Sequence, residues 1–424
     1  MIKIYKDGLS LREEIFTAKT EKKDVTSIVS EILNNVANNG DKALYEYAEK
    51  FDKVKLTSLK VSEDEILSAY NSVSEKFINI LKKAKKNIEE FHLKQLRQGF
   101  KIERDNGVIV GQKIIPIERA GIYVPGGTAA YPSTVLMDAI PAIVAGCKRV
   151  VMVSPPDKNG NINPVILASA YVAGVKEIYK VGGAQAIGAL SFGTETIPKV
   201  DKIVGPGNAF VAEAKRQVYG NVSIDMIAGP SEILVVADAT NRAKDVAADL
   251  LSQAEHDKMA SAVLVTDSID FANKVALEIE RQIPLLERQD IARASIDDNG
   301  KIIVTDSIDS AIELSNAIAP EHLEIAVDEP FKYLDKVVNA GSVFLGKYCP
   351  EAMGDYIAGT NHTLPTSGTA RFSSALSVDD FIKKTQYIYY DKQALLEDAY
   401  DVDYFAKQEG LTAHAKSAVI RFED

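Results

Sequence analysis

Residues 145–156, AGCKRVVMVSPP, and 173–183, AGVKEIYKVGG, share one pattern: a helix end, a glycine, a short β-rich run and a turn. Further short runs of the same kind predict strands at Arg149–Val153, Glu177–Val181, Lys202–Val204, Glu232–Val236, Ala262–Val265, Ile302–Val304, Leu323–Val327 and Val343–Leu345. Helical stretches such as Pro164–Ala173 and Ala243–Ala254 fall between them, so the chain alternates strand and helix. That alternation builds βαβ units and mainly parallel sheets, an α/β fold. The two quoted stretches form a weak internal repeat, an echo that βαβ folds also produce without common origin. Outward from this region, Asp24 to about Leu96 carries Val25, Ile28, Val29 and Ile32 at helical spacing, a mostly helical opening. After Phe372 the chain turns helical and tyrosine-rich with no further sheet evident, and this tail needs a partner surface.

Composition narrows the function. The 424 residues suffice for two or three domains. With 49 Lys and Arg against 60 Asp and Glu the net charge is −11, and no basic block carries interleaved aromatics, which argues against nucleic acid. Apolar residues at 46% and charged ones at 26% match a soluble globular chain. The start, MIKIYKDGLS, does not have the form of a signal peptide, and the apolar region Val135–Val153 is broken by Asp138, Pro141, Lys148 and Arg149, which a membrane span does not tolerate. Two cysteines, Cys147 and Cys349, without a CxxC pair fit a reducing cytosol. The five histidines are therefore the main candidates for metal ligands and proton carriers.

Four segments carry chemistry. In RAKDVAADLLSQAEHD, Gln253 and His256 leave one helical face and could grip a metal, although taken alone a polar helix end capped by His256 is the simpler account. In PEHLE, Glu321 and His322 enter an apolar strand together and could act as an acid/base pair, where an isolated Glu-His dipeptide is more simply a solvated turn. MGDYIAGTNHTLPTSG offers Asp355 as an oxygen ligand, with His362 expected to bond backbone within its own loop. Glycine-rich turns occur in YVPGGTAAYP, VGGAQAIG and VGPGNAF. None is GxGxxG, but Gly205-Pro206-Gly207-Asn208 joins a strand to a helix whose free amides could receive a pyrophosphate.

Together and in order, VPGG, VGGAQAI, DKIVGPGNAFVAEAKRQV, GPSEILV, DLLSQAEHD, PEHLE, GDYIAGTNHTLPT and EGLTAHAKSAV resemble the histidinol dehydrogenase family almost end to end. The resemblance implies two Rossmann-like parallel-sheet domains. A helical region over 1–118 should pack with the zinc-site domain, 119–237 should form the NAD-binding side, 238–372 should carry zinc ligands and catalytic bases, and 373–424 should be a helical arm crossing to the partner of a homodimer. It further implies one Zn2+ per subunit on Gln253, His256, Asp355 and His414. Ser231, His322 and Glu409 would add substrate contacts beside those ligands, Tyr123, Gln185 and Asn208 would bind NAD, and Glu321 and His322 would be the bases. The implied reaction is oxidation of L-histidinol through L-histidinaldehyde to L-histidine with two NAD, the last step of histidine biosynthesis, in the cytoplasm.

In the implied mechanism the zinc ion orients the substrate through its imidazole and amino nitrogens, His322 takes the alcohol proton, and Glu321 activates the water that hydrates the aldehyde. Attack by Cys147 is the competing route, but its place between Gly146 and Lys148 ahead of an apolar strand suits an inert thiol. Three other classes compete: a dehydrogenase of another zinc-chelating alcohol, a zinc hydrolase using Glu321 or Glu409 without NAD, and a non-catalytic zinc and amine binder. The Gly-rich turns weigh against the hydrolase, and the paired Glu321 and His322 weigh against the binder.

Overall fold

One device builds both of the stretches quoted first. The helix Pro132–Ala145 stops at Gly146 (φ 93°) and Pro164–Ala173 stops at Gly174 (φ 91°). The left-handed backbone there strains any residue with a Cβ, so glycine sets where helix gives way to strand. The computed structural model describes residues 2–6, 24–126 and 130–423, which leaves Gly127 of the VPGG turn outside the described residues.

The larger of two compact units comprises Met1–Gln95 and Ile117–Phe381. It holds two all-parallel sheets. In the first, the strands Glu177–Lys180, Arg149–Ser154, Arg119–Tyr123, Lys202–Val204 and Ser223–Ile224 lie in that spatial order. The chain steps outward from Arg119–Tyr123, then returns at Lys202–Val204 on its other side. Such a reversal opens a crevice at the carboxyl ends of those two strands, the usual ligand position in parallel sheets. In the second sheet the order is Lys3–Lys6, Lys301–Val304, Ser261–Thr266, Glu232–Ala237, His322–Ala326 and Ser342–Leu345. Its inner strand Glu232–Ala237 is apolar on both faces: Ile233 and Val235 enter one core, Leu234 and Val236 the other. That double burial is what a parallel sheet covered by helices demands.

Three expectations need correction. The strand Glu232–Ala237 pairs with Ser261–Thr266 and His322–Ala326, so a boundary at 237 cuts the second sheet apart. The N-terminal region divides: the helix Thr26–Tyr47 packs through Val29, Ile32, Leu33 and Val36 into the core of the first sheet, while Lys3–Lys6 pairs with Lys301–Val304 of the second and Asn87 donates to the Ile357 carbonyl, two residues past Asp355. The tail is not purely helical: Ile382–Tyr389 is a strand, antiparallel to Ile109–Pro116, which pairs in turn with Phe100–Glu103. These strands, with the helices Lys392–Gln408 and Thr412–Val419, make the second unit, Leu96–Pro116 and Ile382–Asp424. The strand IKKTQYIY stays mostly exposed, so no alternating apolar face marks it in sequence. Among the described residues no helix is long and apolar enough to cross a membrane.

Candidate active site

The helix Ile308–Ile318 ends at Ala319 in a left-handed conformation (φ 57°), and Pro320 and Glu321 lead into the fully buried strand His322–Ala326. Glu321 and His322 are thereby inserted at the amino edge of the second sheet, 7% and 4% exposed. Glu321 Oε2 accepts a hydrogen bond from the Glu232 N–H at 2.8 Å and lies 3.7 Å from His322 Nδ1. The helix Ala243–Ala254 brings Gln253, 1% exposed, to the same edge, with Nε2 2.9 Å from His322 Nδ1. Nδ1 also stands 3.0 Å from the Glu232 carbonyl, so it either donates to that oxygen or accepts from Gln253. Donation leaves the lone pair on Nε2, the form a general base needs.

On the other side of the ring, His322 Nε2 faces Asp355 Oδ1 at 3.5 Å, and both atoms are buried without a hydrogen-bond partner. Asp355 is placed by Gly354, where a Cβ would stand 2.6 Å from the Phe344 ring, and Phe344 in turn packs on His322 at 5.9 Å between centroids. His256, just past the Gln253 helix, is half-buried and feels the Asp355 charge. His362 bonds Thr134 Oγ1 at 3.2 Å and the Asp355 backbone, as expected of a loop histidine.

Burial pushes the Glu321 carboxyl up to about 8. Burial opposes a charge on His322, yet the carboxylates of Glu321, Asp355 and Glu351 push that ring up to about 10. Asp355 is held below the ordinary carboxylate range by His322, His362 and His256 in spite of its burial. Desolvation lowers both His256 and His362, which favours the neutral imidazole that ligates metals.

Sequence inspection missed the layer behind these groups. Glu351, pushed by burial up to about 7, accepts from Ser252 Oγ at 2.9 Å, and its N–H donates to Glu324 Oε1 at 2.7 Å. Glu324 shares a strand face with His322 two residues earlier, and that period-two pair of polar groups in an apolar strand was its one visible signal. Among the described residues no three His, Cys, Asp or Glu side chains close on one point, so a metal here would need Gln253 and a further donor. Glu409 and His414 lie in the second unit, both exposed. Ser231 is half-buried, its carbonyl accepting from the Ser261 N–H at 2.9 Å.

The three cofactor candidates stand at or just past the carboxyl ends of three strands of the first sheet. Tyr123 ends the strand Arg119–Tyr123, and its buried hydroxyl accepts from the Gly183 N–H at 3.1 Å. Gln185 stands in the first turn of the helix Gly183–Phe192, and Asn208 caps Ala209–Val218 by accepting from Phe210 and Val211 N–H. Cys147 is half-buried and its thiol is pushed by burial up to about 11, a poor nucleophile.

A family model described as Histidinol dehydrogenase matches residues 16–422. The chain is 54% identical over 428 residues to the histidinol dehydrogenase of Clostridium acetobutylicum, covering 100% of this chain and 99% of that one. It is 57% identical over 396 residues to that of Bacillus cereus, covering 93% and 92%. The crystal structure of histidinol dehydrogenase from Elizabethkingia anophelis superposes with a TM-score of 0.94 at 44% identity, covering 100% of this chain and 98% of that one.

Proposed function

The chain belongs to the histidinol dehydrogenase family, and from that premise we propose that it oxidises L-histidinol through the aldehyde to L-histidine in the cytosol, with NAD and one zinc ion per subunit. The observation that carries this is His322, sealed at the sheet edge with an unpartnered Nε2, Asp355 on one side and Glu321 on the other.

The donor set suits zinc. Asp355 Oδ1 is buried without a partner, and the neutral imidazole of His256 and the amide oxygen of Gln253 are nitrogen and oxygen donors of the right chemistry. We assign Gln253, His256 and Asp355 to the metal, with His414 as the fourth ligand and Glu409 as a substrate contact, both supplied to the site of a second copy. Exposed Tyr389, Tyr400, Tyr404 and Phe405 in the same unit suit a subunit interface. When bound, zinc would hold the substrate by its nitrogen atoms, and NAD would take the hydride.

His322, neutral once a bound cation offsets the carboxylates that otherwise hold its proton, accepts the alcohol proton on Nε2, with Nδ1 donating to the Glu232 carbonyl. Glu321 then accepts a proton from water for hydration of the aldehyde; burial raises its affinity for that proton. Tyr123, Gln185 and Asn208 position the cofactor, and Ser231 the substrate.

The test is to supply L-histidinol, NAD and zinc to the purified protein and count reduced cofactor. Two NADH per histidine are expected, with activity lost on chelation and regained with zinc. No reduction of NAD in folded, zinc-loaded protein rejects the assignment, and full activity in metal-free protein rejects the zinc.

A further inference from the structure

Beneath the turn Gly205–Asn208 lies a buried ion pair that the chemistry above does not use. Lys215 and Asp225 have side chains only 2% and 1% exposed, and Lys215 Nζ pairs with Asp225 Oδ1. Lys215 Nζ also donates to the Gly205 carbonyl at 2.9 Å, while Asp225 Oδ2 accepts from the Gly205 N–H at 2.8 Å. One ion pair thus holds both polar groups of one peptide residue, the first of the turn. Gly205 has a φ of +119°, and a Cβ on it would stand 2.2 Å from the Tyr123 carbonyl and 3.1 Å from Asp138 Oδ2. The turn is therefore clamped from below and pressed against the end of the Arg119–Tyr123 strand.

Asp138 extends the clamp. Its Oδ1 accepts from Thr363 Oγ1 at 2.7 Å, and its Oδ2 is buried without a partner. The same helix receives Asn361 Nδ2 on the Met137 carbonyl at 2.6 Å and His362 on Thr134. The loop that follows Asp355 is tied in this way to the helix whose Asp138 stands beside Gly205, 3.1 Å from where a Cβ on that glycine would be.

We propose that Lys215 and Asp225 are positioning residues for the cofactor turn, holding Gly205–Asn208 in register with Asp138 and the loop Asn361–Thr363. This rests on the assignment of that turn to NAD. Stability is a weak reason to keep such a pair, because apolar replacement of a buried ion pair is often neutral or stabilising. Its hydrogen bonds to Gly205 give it a geometric task instead.

The experiment compares Lys215→Met/Asp225→Leu, Asp225→Asn and Asn208→Ser with the parent holoenzyme. Fluorescence titration reads NADH affinity, thermal unfolding reads stability, and kinetics read KM for NAD against KM for histidinol. Asn208→Ser keeps the helix cap and removes the amide. The double variant should bind NADH about tenfold more weakly, the loss of about one backbone hydrogen bond in placing the turn, with KM for histidinol unchanged, and its Tm should fall because the buried Gly205 N–H and carbonyl lose their partners. Asp225→Asn keeps the side-chain shape, serves if the double variant does not fold, and should weaken NADH binding in the same direction. Parental NADH affinity in both clamp variants, with Asn208→Ser weakened, overturns the proposal and leaves the turn's assignment standing. Parental affinity in Asn208→Ser removes the turn from the cofactor site and overturns both.

Discussion

Gly354→Ala should disarm the site without removing a polar atom. Gly354 has an ordinary helical backbone (φ −68°), so alanine brings no conformational strain, and the whole effect comes from its methyl group. That Cβ would stand 2.6 and 2.9 Å from two Phe344 ring atoms, where ordinary contact begins near 3.4 Å. Ring and loop must part by about 1 Å, because carbon atoms repel steeply inside their contact distance. Phe344 packs on His322, and Asp355 follows Gly354 directly, so the displacement falls on the 3.5 Å gap between His322 Nε2 and Asp355 Oδ1. Overpacking of this kind costs about 1–3 kcal/mol of stability. A misplacement of about 1 Å at reacting groups costs on the order of 100-fold in kcat/KM. Steady-state kinetics, thermal unfolding and elemental analysis for zinc check it, with Gly354→Ala/Phe344→Leu as the partner variant that restores room. Parental kcat/KM in Gly354→Ala, or no recovery in the double variant, refutes the claim that this glycine sets the position of Asp355.

His322→Asn should damage both oxidations, whereas Glu321→Gln should spare the first and stall hydration, leaving about one NADH per substrate instead of two; equal loss of both half-reactions in the glutamine variant counts against the division. Cys147→Ser should retain most activity, since the thiol is pushed up to about 11, and inactivity of a folded variant reopens the covalent route. Chains carrying His414→Ala and His256→Ala, each inactive alone, should regain roughly a quarter of parental activity after mixed refolding, and background activity after confirmed exchange rejects a shared site. Asp138 is pushed by burial from an ordinary 3.8 up to about 8, so between those values the folded chain holds a proton that the unfolded chain lacks, and stability falls as pH rises. Asp138→Asn does not titrate, so its Tm should rise relative to the parent from pH 5 to pH 8; a constant difference sinks the assignment.

The sequence displayed what short range controls. Glycines at 146 and 174 mark helix ends, and the apolar runs that follow mark strands, because both signals sit within a few residues. Glu321 beside His322 was visible for the same reason. Long-range pairings were not. Lys3–Lys6 becomes an edge strand only by pairing with Lys301–Val304, and Ile382–Tyr389 only by pairing with Ile109–Pro116. Glu351, Lys215 and Asp225 look like ordinary surface charges in sequence, and only the assembled core reveals that they are desolvated.

The two sheets also explain why unlike charges suit their two sites. At the amino edge of the second sheet the helix Ala243–Ala254 ends beside Gln253, so its carbonyl-rich, partly negative terminus faces the cluster. A cation is favoured there, and the free Glu232 N–H at the same edge holds the Glu321 carboxylate in place. At the carboxyl edge of the first sheet the helix Ala209–Val218 begins just past Gly205–Asn208, presenting its partly positive terminus to the crevice. An anion such as a pyrophosphate is favoured there. In a βαβ succession each helix starts at the carboxyl edge of its sheet and ends at the amino edge. On the proposed function the metal would sit at one edge and the phosphates at the other, the same secondary structure used twice.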